Sequence, residues 1–125
     1  MLLGQGAGGG ALALLPADRT IAAQHAWLSP LPPEGASAIV HRSPDFAPAM
    51  SEAKGVNVAS LYANGLVEHI VDERTDAALE GRAFCQRLAQ AIEYELAELS
   101  SADISGLLPR RLDKYHRLGR IPATA

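Results

Sequence analysis

Cysteine is almost absent: Cys85 is alone in 125 residues. One cysteine excludes an internal disulfide and any zinc site built on cysteines, and it favours a reducing, cytoplasmic setting. Aromatic residues make up only 5% of the chain. That is too few for a base-stacking surface, so no nucleic-acid partner is expected. Long apolar runs are missing as well. None approaches the ~20 residues that span a bilayer, and no basic-then-apolar leader opens the chain, so no membrane partner is expected. The four histidines, His25, His41, His69 and His116, are scattered, and none stands at a metal-ligand spacing from another ligand type. No metal is expected.

What is present is an ordinary apolar content of 48%, with 20% charged residues and a net charge of −3. At this length the expectation is one domain, able to bury roughly two-thirds of its unfolded surface without disulfides or metal. Two features are uneven. Five of the eleven glycines, Gly4, Gly6, Gly8, Gly9 and Gly10, fall within the first ten residues. A domain rarely opens on so specialised a segment, so the start looks like the middle of something larger. Charge is also segregated. Residues 1–105 hold six Lys/Arg against thirteen Asp/Glu, whereas Arg110, Arg111, Lys114, Arg117 and Arg120 face Asp113 alone. This marks either an anionic ligand or partner near the C-terminus, or the solvated face of a terminal helix.

Along the chain, Met1-Leu2-Leu3 reads as the end of a strand, Gly4–Gly10 as a turn, and Gly10–Leu15 as a short helix stopped by Pro16. Thr20–Gln24 and Ala26–Ser29 read as short strands. Pro at the first helical position and Glu34 in the first turn open a helix through about Val40. Ser43-Pro44-Asp45 repeats that signal for a helix ending near Gly55. Val58–Asn64 is a further helix and Leu66–Val71 a half-buried strand. A long helix is expected over Asp76–Leu99, with Phe84, Leu88, Ile92, Leu96 and Leu99 as its buried stripe, and a last helix reaches about Leu118. The fold class is helix-rich α/β, with too few strands to complete a sheet. It divides into a core portion, residues 1–75, and a C-terminal helical pair with a basic tail, residues 76–125.

The glycine cluster admits three readings. Gly4, Gly6 and Gly9 satisfy G-x-G-x-x-G, but that dinucleotide motif needs a long helix and an acid about 20 residues on. Here Pro16 cuts the helix and Ser29-Pro30 stands where the acid belongs. A tight turn is the second reading. An oxyanion hole is the third: adjacent glycines at a helix N-terminus leave backbone N–H groups aimed at one point, and a Cβ at Gly9 or Gly10 would obstruct a flat ligand. No side-chain constellation competes. Cys85 reads as a small buried apolar residue within a helix, and Ser37 lacks the glycines of a nucleophile elbow. His41-Arg42, just after a helix, is one candidate for meeting a ligand phosphate or carboxylate, a role the sequence alone leaves open.

At Gly4–Ala13 and Pro32–Ile39 the order becomes specific. Gly-Gln-Gly-Ala-Gly-Gly-Gly-Ala-Leu-Ala, then Pro-Pro-Glu-Gly-Ala-Ser-Ala-Ile, resembles the carboxyltransferase of acetyl-CoA carboxylase. The likeness is to its α-subunit type, or to the matching C-terminal half where both halves lie on one chain. Pro48–Gly55, Val67–Glu73 and Arg110–Gly119 correspond to later parts of that pattern. Departures are Pro32 in place of Ser, Ala7 in place of Gly, and the absence of proline in His69–Glu73.

The resemblance implies the C-terminal portion of a crotonase-like fold and transfer of CO2 from carboxybiotin, borne on a carrier protein, to acetyl-CoA. It assigns the backbone N–H groups of Gly9 and Gly10 to catalysis, and Gly8, Gly9 and Gly10 to the biotin. The implied partners are a β-type carboxyltransferase half, a biotin carboxyl carrier protein and biotin carboxylase, within an oligomer. The chain alone is expected to be inactive.

Overall fold

Short β-branched or small-residue segments at Gln5–Ala7 (β1), Ile21–Ala23 (β2), Trp27–Ser29 (β3) and His69–Val71 (β4) form two parallel pairs in the computed structural model, which describes residues 1–118. In one pair β1 lies beside β3, with Gly6 opposite Leu28; in the other β2 lies beside β4, with Ala22 opposite Ile70. Leu2 joins them through a bridge to Ala22, its N–H on Ile21 O (2.8 Å) and its carbonyl accepting from Ala23 N–H (2.9 Å). All of β2 is buried, as parallel strands covered on both faces require. Ile21, Ala22, Ala23, Leu28, Val58, Leu61, Val67, Val71, Phe84 and Ala91 form one apolar cluster.

The expected turn over Gly4–Gly10 is corrected. Its middle, Gln5–Ala7, is a strand, and Gly8–Ala13 is already helical (α1). Glycine permits extended structure, and at Gly6 the packing demands it. A Cβ there would lie 2.8 Å from Leu2 Cδ1 and Leu28 Cδ1 and 3.3 Å from Trp27 O. Only Leu2 of the first three residues pairs, and of Leu66–Val71 only the last three form a strand.

Helix starts follow the local signals more closely. Pro33–His41 (α2) has Pro at its N-terminus and ends at Arg42, the one non-glycine residue of positive φ (58°) among those described. Ser43 Oγ accepts from Asp45 N–H (3.1 Å), opening a 3-10 turn at Pro44–Phe46 that continues into Ala47–Lys54 (α3), closed by Gly55 at φ 58°. Asn57 caps Val58–Ala63 (α4).

The long helix starts at Gly81, not Asp76, and runs to Ser101 (α5); Ile104–Arg117 (α6) follows. Asp76 instead closes a turn, accepting Ala78 N–H on its carboxylate. The stripe also differs. Phe84 and Ala91 are buried and Leu88 and Ile92 partly so, but Glu95 takes the next inward position while Leu96 is 57% exposed. Successive four-residue steps drift by about 40° each around a helix of 3.6 residues per turn, so three steps from Phe84 leave the core face, whereas eleven residues return to it. Among the described residues no helix is long and apolar enough to cross a membrane.

Candidate functional site

The glycine turn is built from both sides. β1 fixes its approach through pairing with β3 and through Trp27 N–H on Gly4 O (3.2 Å). At Gly8 the chain turns through φ 75°, a conformation costly for any residue with a Cβ, and α1 begins at once. Ala7, at the cap position, has no side-chain oxygen to offer the first amides of α1. A Cβ at Gly8, Gly9 or Gly10 would meet nothing within 4 Å. Gly6 is therefore explained by packing and Gly8 by its backbone angle; the fold of the described residues makes neither demand at Gly9 or Gly10. Beside β1 and α1 lies a cavity of about 390 Å³ of mixed lining, with Leu2, Ala11, Leu15 and Leu28 alongside Gln5 and Arg19.

The remaining candidates are placed as follows. Ser37 is fully buried, its hydroxyl donating to Ser43 O (2.5 Å), which ties α2 to the turn after it. His41 packs on the Phe46 ring (4.6 Å between centroids). His25 Nδ1 lies 3.2 Å from Glu73 Oε2. Burial pushes the Glu73 carboxyl up, but the amides of His25 and Ala77 and the His25 ring together hold it below its ordinary value. His69 Nδ1 and Arg19 Nε flank buried Glu95, at 3.3 and 3.0 Å. Cys85 is exposed, which corrects the buried reading: one residue beyond inward-facing Phe84, it is turned about 100° away. Among the described residues no group of three His, Cys, Asp or Glu could hold a metal ion.

The basic tail is largely engaged within the chain. Arg111 grips Asp18 with Nε (2.9 Å) and Nη2 (2.5 Å), Lys114 donates to Glu68 Oε1 (2.6 Å), and Arg117 pairs with Asp113. The hydrogen bonds from Arg111 hold the Asp18 carboxyl below the ordinary aspartate value. Arg120 and Gly119 lie outside the described residues. Asp18 and Glu68 answer the tail, Glu95 meets His69 and Arg19, and the Tyr115 hydroxyl donates to Leu15 O. The sequence offers no signal for them, because their partners are tens of residues away.

Residues 1–119 match the acetyl co-enzyme A carboxylase carboxyltransferase-like family. The chain belongs to that family. It is 50% identical over 95% of its length to a probable biotin-dependent acyl-coenzyme A carboxylase beta3 subunit of Mycobacterium tuberculosis, of which it covers 24%. Acetyl-coenzyme A carboxylase carboxyl transferase alpha subunits are also similar. That of Deinococcus radiodurans is 35% identical over 94% of this chain and 38% of the relative, and that of Acinetobacter baumannii 33% identical over 94% and 43%. The chain thus spans between a quarter and somewhat over two fifths of the length of these curated relatives. Membership in this family agrees with the resemblance drawn from Gly4–Ala13 and Pro32–Ile39, and with a helix-rich α/β architecture of small sheets.

Proposed function

We propose that this chain is part of the carboxyltransferase component of acetyl-CoA carboxylase, carrying a portion of a crotonase-like active site. The observation that carries the reading is the pair Gly9-Gly10. Both stand at an uncapped helix start in open space, glycines for which the chain's own packing has no use. Family membership and the alpha-subunit relatives support the assignment.

Carboxybiotin supplies the CO2, which passes from its N1′ to the α-carbon of acetyl-CoA to give malonyl-CoA, while the α-proton goes to the biotin nitrogen. The chain's task is electrostatic. The N–H groups of Gly9 and Gly10 donate to the biotin urea oxygen, where negative charge collects as N1′ releases CO2. Gly8 supplies the turn that aims them, and the lack of side chains at all three positions admits a flat bicyclic ring. Proton transfer between the two substrates explains why no side-chain base is required. A second set of donors, for the thioester enolate, belongs to the β-type half. The biotin carboxyl carrier protein and biotin carboxylase complete the cycle within an oligomer in the cytoplasm. On this reading the chain alone forms no malonyl-CoA, and the chain assembled with the rest of the enzyme, the β-type half included, does. Malonyl-CoA made from carboxybiotin and acetyl-CoA by the purified chain alone would overturn the division of labour.

A second reading shares the site and changes the acyl group. The 50% identity to an acyl-coenzyme A carboxylase beta3 subunit favours a carboxyltransferase for another acyl-CoA. Turnover of acetyl-, propionyl- and malonyl-thioesters by the reconstituted complex separates the two.

A further inference from the structure

Helix α1 buries no residue completely, and only Ala11 of its six packs against the core. Its direction therefore depends on its two ends. β1 holds the first. The second runs into the connection Leu14–Thr20, which is gripped from three separate parts of the chain. From α6, the Tyr115 hydroxyl donates to Leu15 O and Arg111 makes its two-pronged bond to Asp18. From α5, Glu95 pairs with Arg19. From the segment before β4, Glu68 accepts Thr20 N–H (2.7 Å) while its other oxygen takes Lys114.

The contacts are polar and directional, so they define an angle as well as a distance. Burial pushes the Tyr115 hydroxyl above its ordinary value, and the hydroxyl donates to Leu15 O. Helix α6 buries none of its own residues, so these bonds are its main purchase on the connection.

We infer that Arg111, Asp18 and Tyr115 are positioning residues, through which α6 sets the direction of α1 and so of the Gly9 and Gly10 amides. Their effect on catalysis rests on the carboxyl-transfer reading above; the clamp itself does not. A tilt of about 1 Å at reacting atoms is enough to cost on the order of 100-fold in rate.

The test uses the full chain, alone and assembled with the rest of the carboxyltransferase, in the variants Asp18→Ala, Tyr115→Phe and the exchanged pair Asp18→Arg with Arg111→Asp. In the chain alone, amide hydrogen exchange over Gly8–Leu15 should rise about tenfold in Asp18→Ala, with exchange over Phe84–Ala91 unchanged. Tyr115→Phe, the milder change, should show the same local pattern to a smaller degree, and the exchanged pair should restore protection. In the assembled enzyme kcat should fall roughly 10–100-fold with KM for acyl-CoA unaltered, and should recover in the exchanged pair. Unchanged exchange over Gly8–Leu15, or an equal rise throughout the chain, overturns the clamp. Absence of transfer by the assembled wild type overturns the functional reading instead, and leaves the exchange result to decide the clamp alone.

Discussion

Placing a side chain at Gly10 should separate stability from activity. No atom lies within 4 Å of a Cβ built there, and Gly10 sits in the first turn of α1 at an ordinary helical angle. Glycine is worse than alanine in a helix by about 0.8–1 kcal/mol, an upper bound for this first turn. Gly10→Ala should therefore leave the fold as stable or raise it by up to about 1 kcal/mol, a few degrees in Tm for a chain of this size. Gly10→Leu should likewise unfold no earlier than the wild type, since its side chain has open space. Activity should move the other way. Denying the anion one backbone donor is worth about 2.7–4 kcal/mol, or roughly 100- to 1000-fold in rate. Thermal unfolding of the full chain by circular dichroism, beside carboxyl transfer by the assembled enzyme, reads both quantities. Unchanged transfer in Gly10→Leu with normal assembly refutes the role of these amides. A sharp fall in Tm refutes the claim that the position is free of packing.

Gly6→Val should do the reverse of Gly10→Leu. The new Cβ meets two leucine methyls at 2.8 Å and a backbone oxygen at 3.3 Å, so overpacking of about 1–3 kcal/mol should appear as a lower urea midpoint. Phe84→Ala empties the junction of α5 with the strand cluster and should cost about 3–5 kcal/mol in the same assay. Acid should weaken the chain through Asp18 and Glu73. Both carboxyls titrate below their ordinary values of 3.8 and 4.5 when folded. Their contribution is thus complete above those values and is lost as pH falls below them through the folded ones. Urea midpoints should rise with pH through this window, and Asp18→Asn should flatten the rise; an unaltered slope contradicts the pairing with Arg111.

Much of the helical framework was legible because its signals are local. Ser43-Pro44-Asp45 and Gly55 mark their segment by capping chemistry that acts within a turn, and Pro33 with Glu34 does the same for α2. Gly8 was legible within its cluster because a positive φ is what glycine supplies. Other features depend on distant residues. Gly6 belongs to a strand because Leu2 and Leu28 close over it, which no local pattern encodes. Glu95 turns inward where the drift of four-residue steps carries Leu96 off the expected stripe, and there it meets Arg19 Nε and His69 Nδ1. Likewise, the positive excess of the C-terminal segment read equally as a site for an anionic ligand or partner and as the solvated face of a helix. Asp18, 93 residues before Arg111, answers part of it within the chain. The roles of Gly9 and Gly10 rest on what their surroundings do not require, together with the family the chain belongs to.

The most direct measurement follows labelled carboxylate from carboxybiotin to acetyl-CoA in an enzyme assembled from this chain, the rest of the carboxyltransferase with its β-type half, and the carrier protein. Label in malonyl-CoA that requires the chain, and that is lost with Gly10→Leu while assembly persists, is the predicted result. Label that appears at the same rate when the chain is omitted contradicts the account.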